Sequence, residues 1–139
     1  MKRDMDLIRE LLLKLESVPS EMGDVFSFSP EDKEVTVEGF TPAQIEYHLS
    51  LLREIGFIEC PDSQPMLGIT FSGLTWAGHD YIDAVRDPEI WRKTKLGAEA
   101  AGGFTVDLLR DLAKGLLKTQ IKKHHGRSLP GLRWVAIRC

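Results

Sequence analysis

Three observations predict an α+β fold, mainly α. FTPAQIEYHLSLLREIGFIE, from Phe40 to Glu59, carries the start and stop signals of a helix that feeds a strand. LGITFSGLTWAGHDYI, from Leu67 to Ile82, reads as a strand running straight into another helix. Both ends of the chain carry apolar residues at spacings of three and four, the mark of amphipathic helices. With 139 residues, 42% hydrophobic and 28% charged, the chain has the composition of a soluble globular protein and room for one cored domain with an appendage.

The elements follow in order. From Asp4 to about Ser17, Leu7, Ile8, Leu11, Leu12 and Leu15 form one stripe, and the helix stops before Pro19. Acidic residues interleave this opening, which is therefore neither a secretory signal nor a membrane span, and a cytoplasmic location is expected. Val25 to Phe28 and Glu34 to Glu38 flank SPEDK and predict a short hairpin, or one strand after a turn, where a positioning helix would otherwise sit.

Thr41, Pro42 and Gln44 match a capping box with proline at the first helical position, and Phe40 with Ile45 can form a hydrophobic staple. Ile45, His48, Leu49, Leu52 and Ile55 share a stripe, and Gly56 supplies the left-handed residue that ends the helix before Phe57 and Ile58 turn extended. The loop CPDSQPMLG separates that strand from the next. Thr75 caps a helix to about Arg86, with Trp76 on a face expected to pack inward. Asp87-Pro88 restarts a short helix through Trp91 to about Lys95, and LGAEAAGG interrupts it. Thr105 opens a last helix to about Lys123, with Leu109, Leu112, Ala113, Leu116, Leu117 and Ile121 on one stripe.

The order helix, short strand, helix, two-stranded wing is that of a winged-helix-like domain over residues 1–87. Residues 88–123 are expected to be a helical extension, packed on it or used for dimerisation, and residues 124–139 a basic tail.

KRDMDLIRELLLKLE, YHLSLLREIGFIE, LTWAGHDYIDAVRDPEIWRKTK and the closing amphipathic helix resemble, in this order, a family of short phage and prophage proteins catalogued as domain of unknown function 2513. The resemblance covers roughly residues 1 to 123, and LTWAGHDYIDAVRD is its most distinctive block. It implies a bacterial, phage-derived, winged-helix-like protein without an established activity, and it carries no catalytic residues. HHGRSLPGLRWVAIRC departs from the pattern.

Two partner classes follow from the residues. On the helix opened by Thr41, the face opposite the apolar stripe carries Ala43, Glu46, Tyr47, Ser50, Arg53 and Glu54. Tyr47, Ser50 and Arg53 are the candidate base-edge, phosphate or protein contacts. Two glutamates against one arginine suit a phosphate backbone poorly, because nonspecific DNA affinity comes from Lys and Arg displacing counterions. From Leu108 to the C-terminus, eight Lys or Arg face one Asp, whereas the rest of the chain is acidic. Lys118, Lys122, Lys123, Arg127 and Arg133 are therefore candidate nucleic-acid contacts, with Arg138 beyond them, or else a solvated face.

The expected function is a non-enzymatic, nucleic-acid-binding or regulatory protein, the alternative being a module whose acidic face binds a host or phage protein. A homodimer through the last helix is a further expected partner; no cofactor or metal is. His79 and Asp80 are adjacent helix positions that point about 100° apart, His48 falls on the apolar stripe, and His124-His125 with Cys139 lacks zinc-ligand spacing. Phosphate-loop and nucleophile-elbow motifs are missing. Two cysteines are too few for a disulfide framework and fit a reducing compartment.

Overall fold

Asp4 ends the extended N-terminus and starts α1 (Met5–Glu16), its carboxylate accepting from the Asp6 and Leu7 amides at 2.9 and 3.2 Å. The computed structural model describes residues 1–125, with side chains to residue 122. Within them the chain is α+β and mainly helical, with β1 (Phe26–Phe28), α2 (Pro42–Ile55), β2 (Ile58–Glu59), β3 (Ile69–Phe71), β4 (Gly73–Leu74), α3 (Trp76–Val85), α4 (Pro88–Ala101) and α5 (Val106–His125) following α1. Two compact units result, one from Met1 to Arg86 and one from Asp87 onward.

In the first unit α1 is the hub. Its stripe of Leu7, Ile8, Leu11, Leu12 and Leu15 is buried, and it packs against α2, α3 and β4. Each fully buried aliphatic side chain contributes roughly 1.5–3 kcal/mol. Residues 69–74 form one extended run broken at Ser72. The first half pairs antiparallel with β1, Phe26 opposite Phe71 and Phe28 opposite Ile69; the second pairs antiparallel with β2, Ile58 opposite Leu74. The Ser72 amide donates to the Glu59 carbonyl at 2.8 Å across the break.

Three details of this unit differ from the sequence expectation. Glu34 to Glu38 forms no strand: the Val35 and Thr36 amides both donate to the Asp32 carbonyl at 3.0 Å, a single helical turn that buries Val35. Asp32 itself fixes the turn by accepting the Ser29 amide at 2.8 Å, and such a local bond outcompetes β propensity. Ile55 is 46% exposed, because Gly56 ends the helix before its side chain meets the core. Trp76 is 87% exposed, since the first residue of α3 precedes the turn whose Gly78, Tyr81 and Ile82 face inward.

The LTWAGHDYI block has a packing explanation. The Thr75 hydroxyl accepts from the Gly78 amide at 3.1 Å and donates to the Gly56 carbonyl, while the Thr75 amide donates to the Phe57 carbonyl at 3.0 Å. One residue thus joins the end of α2 to the start of α3. A Cβ on Gly78 would lie 2.1 Å from the Phe57 carbonyl oxygen, so the two backbones touch. Tyr81 stacks on Phe57 at 5.1 Å. Its hydroxyl is buried without a partner among the described residues, and burial raises its pKa well above the usual phenol value, against a lesser pull from Arg9 and Arg3.

In the second unit Asp87 caps α4 through the Ile90 amide at 2.9 Å, and Thr105 caps α5 through the Leu108 amide at 3.2 Å. α4 is longer than expected, running through the glycine and alanine segment to Gly102, whose φ of 91° ends it. Gly97 stays helical because α5 lies against it: a Cβ there would sit 3.4 Å from Leu112. Close packing outweighs its poor propensity. Leu109 and Ala113 are buried as expected, Leu112, Leu116 and Leu117 are half-buried, and Ile121 is exposed. Trp91 is buried, and the Lys95 ammonium lies 5.6 Å from its ring centroid.

Two glycine substitutions should move stability in opposite directions. Gly78→Ala is expected to cost about 3 kcal/mol, since backbone must shift to admit the methyl. Gly115→Ala, inside α5 where nothing lies within 4 Å, should gain about 0.5–1 kcal/mol. Urea denaturation of each variant measures both.

Candidate interaction surface on α2 and the hairpin loop

The capping box that predicts α2 is present in full. The Thr41 hydroxyl accepts from the Gln44 amide at 3.2 Å, and the Gln44 carboxamide oxygen accepts from the Thr41 amide at 2.8 Å. Ile45, His48, Leu49 and Leu52 are buried. His48 is a structural residue with both ring nitrogens committed. Its Nε2 accepts from the Asp4 amide at 2.8 Å, and its Nδ1 therefore donates to the Gln44 carbonyl at 2.8 Å. This tautomer ties the start of α1 to α2.

The outward face of α2 lies where the sequence puts it, with one change of role. Ala43, Ser50, Arg53 and Glu54 are exposed. Tyr47 is half-buried, edge-on to His48 with ring centroids 5.4 Å apart, and the Ser50 hydroxyl donates to the Tyr47 carbonyl at 2.6 Å. Glu46 is not a free surface acid: its Oε2 accepts from the Gly68 amide at 2.6 Å. A charge-assisted bond of this kind contributes roughly 1.5–3 kcal/mol.

That bond anchors the loop after β2. The Gln64 carboxamide donates to the carbonyls of Pro61 and Thr70 at 2.9 Å and accepts from the Thr70 amide at 2.9 Å. Gly68, at φ 85°, backs onto β1 so closely that a Cβ would lie 2.1 Å from the Phe28 carbonyl oxygen. A loop held at this many points nevertheless shows Met66, 97% exposed, and Leu67, 64% exposed, to solvent. The sequence reading missed these two residues, although an apolar pair inside a loop of prolines, Gln and Asp was the available signal.

Of the remaining site residues, Lys118 and Lys122 are exposed on α5, in the second unit. The Lys123 side chain, Arg127 and Arg133 lie outside the described residues, as do Trp134, Arg138 and nearly all of the expected tail. Tyr47, Ser50 and Arg53 thus share a helix face with each other and not with these lysines. Between Lys33 and Arg86 the chain holds eight Asp or Glu and a single basic residue, Arg53.

His79 faces a carboxylate of α1. Its Nδ1 lies 3.8 Å from Glu16, which is gripped at 2.8 and 2.7 Å by Arg86, and those hydrogen bonds hold the Arg86 guanidinium above its already high pKa. Glu16, Ser72 and His79 border a cavity of about 140 Å³. Burial pushes the Cys60 thiol up, against a smaller opposing pull from Arg53, which leaves it little thiolate. Among the described residues no three His, Cys, Asp or Glu side chains converge to hold a metal, and no helix is long and apolar enough to cross a membrane.

Taken with the fold, this surface is that of an α+β chain that presents one helix and one anchored loop. The model of the family described as hypothetical protein (DUF2513) matches residues 2–104, and the chain belongs to that family. It is similar to an uncharacterized protein of Haemophilus influenzae, 33% identical over 125 residues, which are 88% of this chain and 98% of that protein. No solved structure matches.

Glu46→Ala should release the loop. We expect faster amide exchange at Gly68 and a loss of about 1.5–3 kcal/mol, while Glu54→Ala, at an exposed position of the same helix, stays within about 0.5 kcal/mol. Hydrogen exchange read by NMR with a denaturant titration checks both.

Proposed function

We propose that this chain is a non-enzymatic protein-interaction module whose first unit is winged-helix-like, and that it binds a protein through α2 and the Met66-Leu67 loop. The element order supports the winged-helix reading: α1, β1, a single turn in place of a positioning helix, α2, then the hairpin strands flanking an anchored loop. The observation that carries the protein reading is the combination of an exposed apolar loop tip with a helix and loop that together hold a single Lys or Arg. A DNA-binding winged helix needs Lys and Arg beside its reading helix to displace counterions from phosphate. Within α2 and the loop after β2, Arg53 is the one Lys or Arg. Exposed Met and Leu on a fixed support are instead the pattern of a docking anchor, and apolar area is what a protein partner covers. A partner of bacterial or phage origin, met in the cytoplasm, goes with this reading.

Nucleic-acid binding is the second reading, and one observation favours it: Lys118 and Lys122 are exposed along α5. In that case the contact belongs to α5 and the residues after it, and α2 is not the reader.

Titration of the full chain with random duplex DNA at low and moderate salt, beside in-cell photocrosslinking from position 67, tests the assignment. We expect a discrete protein adduct from position 67, and DNA affinity unchanged by Tyr47→Ala, Ser50→Ala and Arg53→Ala. A tenfold loss of DNA affinity in those three variants would overturn the protein reading for this face. Steeply salt-dependent binding that falls instead in Lys118→Ala/Lys122→Ala would assign a separate nucleic-acid contact to α5.

A further inference from the structure

We infer that the partner of the Met66-Leu67 loop is α5 of a second copy of this chain, in a head-to-tail contact. The inference rests on the protein-interaction reading and names its partner.

The two surfaces match in shape of charge and in apolar content. On the first unit, Met66 and Leu67 stand out from a loop that contains Asp62 and follows Glu59, alongside the α2 face that holds Glu54. No Lys or Arg lies in the loop or within twelve residues on either side of Met66-Leu67. The first unit as a whole carries sixteen Asp or Glu against seven Lys or Arg. On the second unit, the apolar stripe of α5 continues past the buried Ala113 through half-buried Leu116 and Leu117 to Ile121, which is 66% exposed. Lys118 and Lys122 flank Ile121 at the helical spacings of three and one, both exposed and both without an ion pair among the described residues. An apolar anchor in an acidic setting therefore meets the exposed end of an apolar helix stripe in a basic one. Each surface is exposed within its own chain, and each carries the chemistry the other lacks.

Pairing α5 with itself fits less well. It would bring the Lys118 and Lys122 regions of two helices near one another without using the loop, whereas the loop-to-α5 contact buries apolar area and offsets charge at once. A contact between different surfaces, repeated from copy to copy, extends a chain or closes a ring, and two copies that exchange it reciprocally close a two-fold pair.

Sedimentation velocity of the full chain tests this, using a loop variant, Met66→Asp/Leu67→Asp, and a helix variant, Lys118→Glu/Ile121→Asp. All four positions are exposed, and thermal melting followed by circular dichroism checks that each variant folds; a variant that melts early is replaced by the serine substitutions at the same apolar positions. The wild-type chain should gain mass as concentration rises, and should lose that gain in about 1 M salt, where the Debye length is about 3 Å. Each variant alone should stay monomeric, and an equimolar mixture should form a one-to-one dimer, because one intact loop and one intact α5 remain in the pair. A wild-type chain that is monomeric at every concentration overturns the inference, as does a loop variant that associates like the wild type or a mixture that stays monomeric. If position 67 still crosslinks to a different protein in cells while the wild-type chain is monomeric, the self-contact fails and the protein-interaction reading stands. If no adduct forms and no association occurs, both fail.

Discussion

A buried arginine holds the first unit together. Arg9, buried beside the apolar stripe of α1, donates from Nε to the Val85 carbonyl at 2.8 Å and from Nη2 to the Arg86 carbonyl at 2.7 Å. These carbonyls lie at the C-terminal end of α3, where a helix leaves its last acceptors unpaired and carries partial negative charge. A guanidinium supplies two donors in a fixed fork and a full positive charge to that end. Glu10 accepts a third bond at 3.1 Å. α3 can therefore stop at Arg86 and the chain can restart at Asp87-Pro88 without leaving buried carbonyls unsatisfied. The buried leucines of α1 set its depth, and Arg9 sets where along α1 the end of α3 must sit.

The α2 face and the loop after β2 inherit this order. α1 reaches α2 through the His48 to Asp4 bond and through the buried stripe, and α3 reaches the end of α2 through Thr75 and Gly78. α2 is consequently fixed at its middle and at its C-terminal end before it contacts anything outside. Glu46 and Gln64 extend that fixity to the loop, so Met66 and Leu67 are displayed from a frame and not from a free tether. Preorganisation of this kind lowers the entropy lost on binding, which is the physical reason an apolar tip is worth holding still.

Much of the frame was legible from residues close in sequence. The caps at Thr41, Thr75, Asp87 and Thr105 and the glycine stop at Gly56 depend on partners within a few positions, and each forms as the sequence indicates. What escaped depends on partners far along the chain. Arg9 bonds residues 76 and 77 positions away, and Glu46 bonds one 22 positions away. On a helical wheel Glu46 looks like a solvated acid, and only the folded loop gives it a donor. The extent of α4 and the exposure of Trp76 likewise follow from what packs nearby, Leu112 against Gly97 in one case and no inward position for the first residue of α3 in the other. Ser50 and Arg53 are exposed where the helix face puts them and Tyr47 is half-buried, whereas the display of Met66 and Leu67 depends on the loop's hydrogen bonds.

Display of Met66 and Leu67 depends on that loop being rigid in solution. Nitrogen-15 relaxation of the full chain, read at the Met66 and Leu67 amides, measures it directly. Order parameters near those of the α2 backbone, about 0.85, are what a loop anchored by Glu46 and Gln64 requires. Values below about 0.6 at both amides would contradict it, and Met66 and Leu67 would then be the exposed side chains of an ordinary mobile loop.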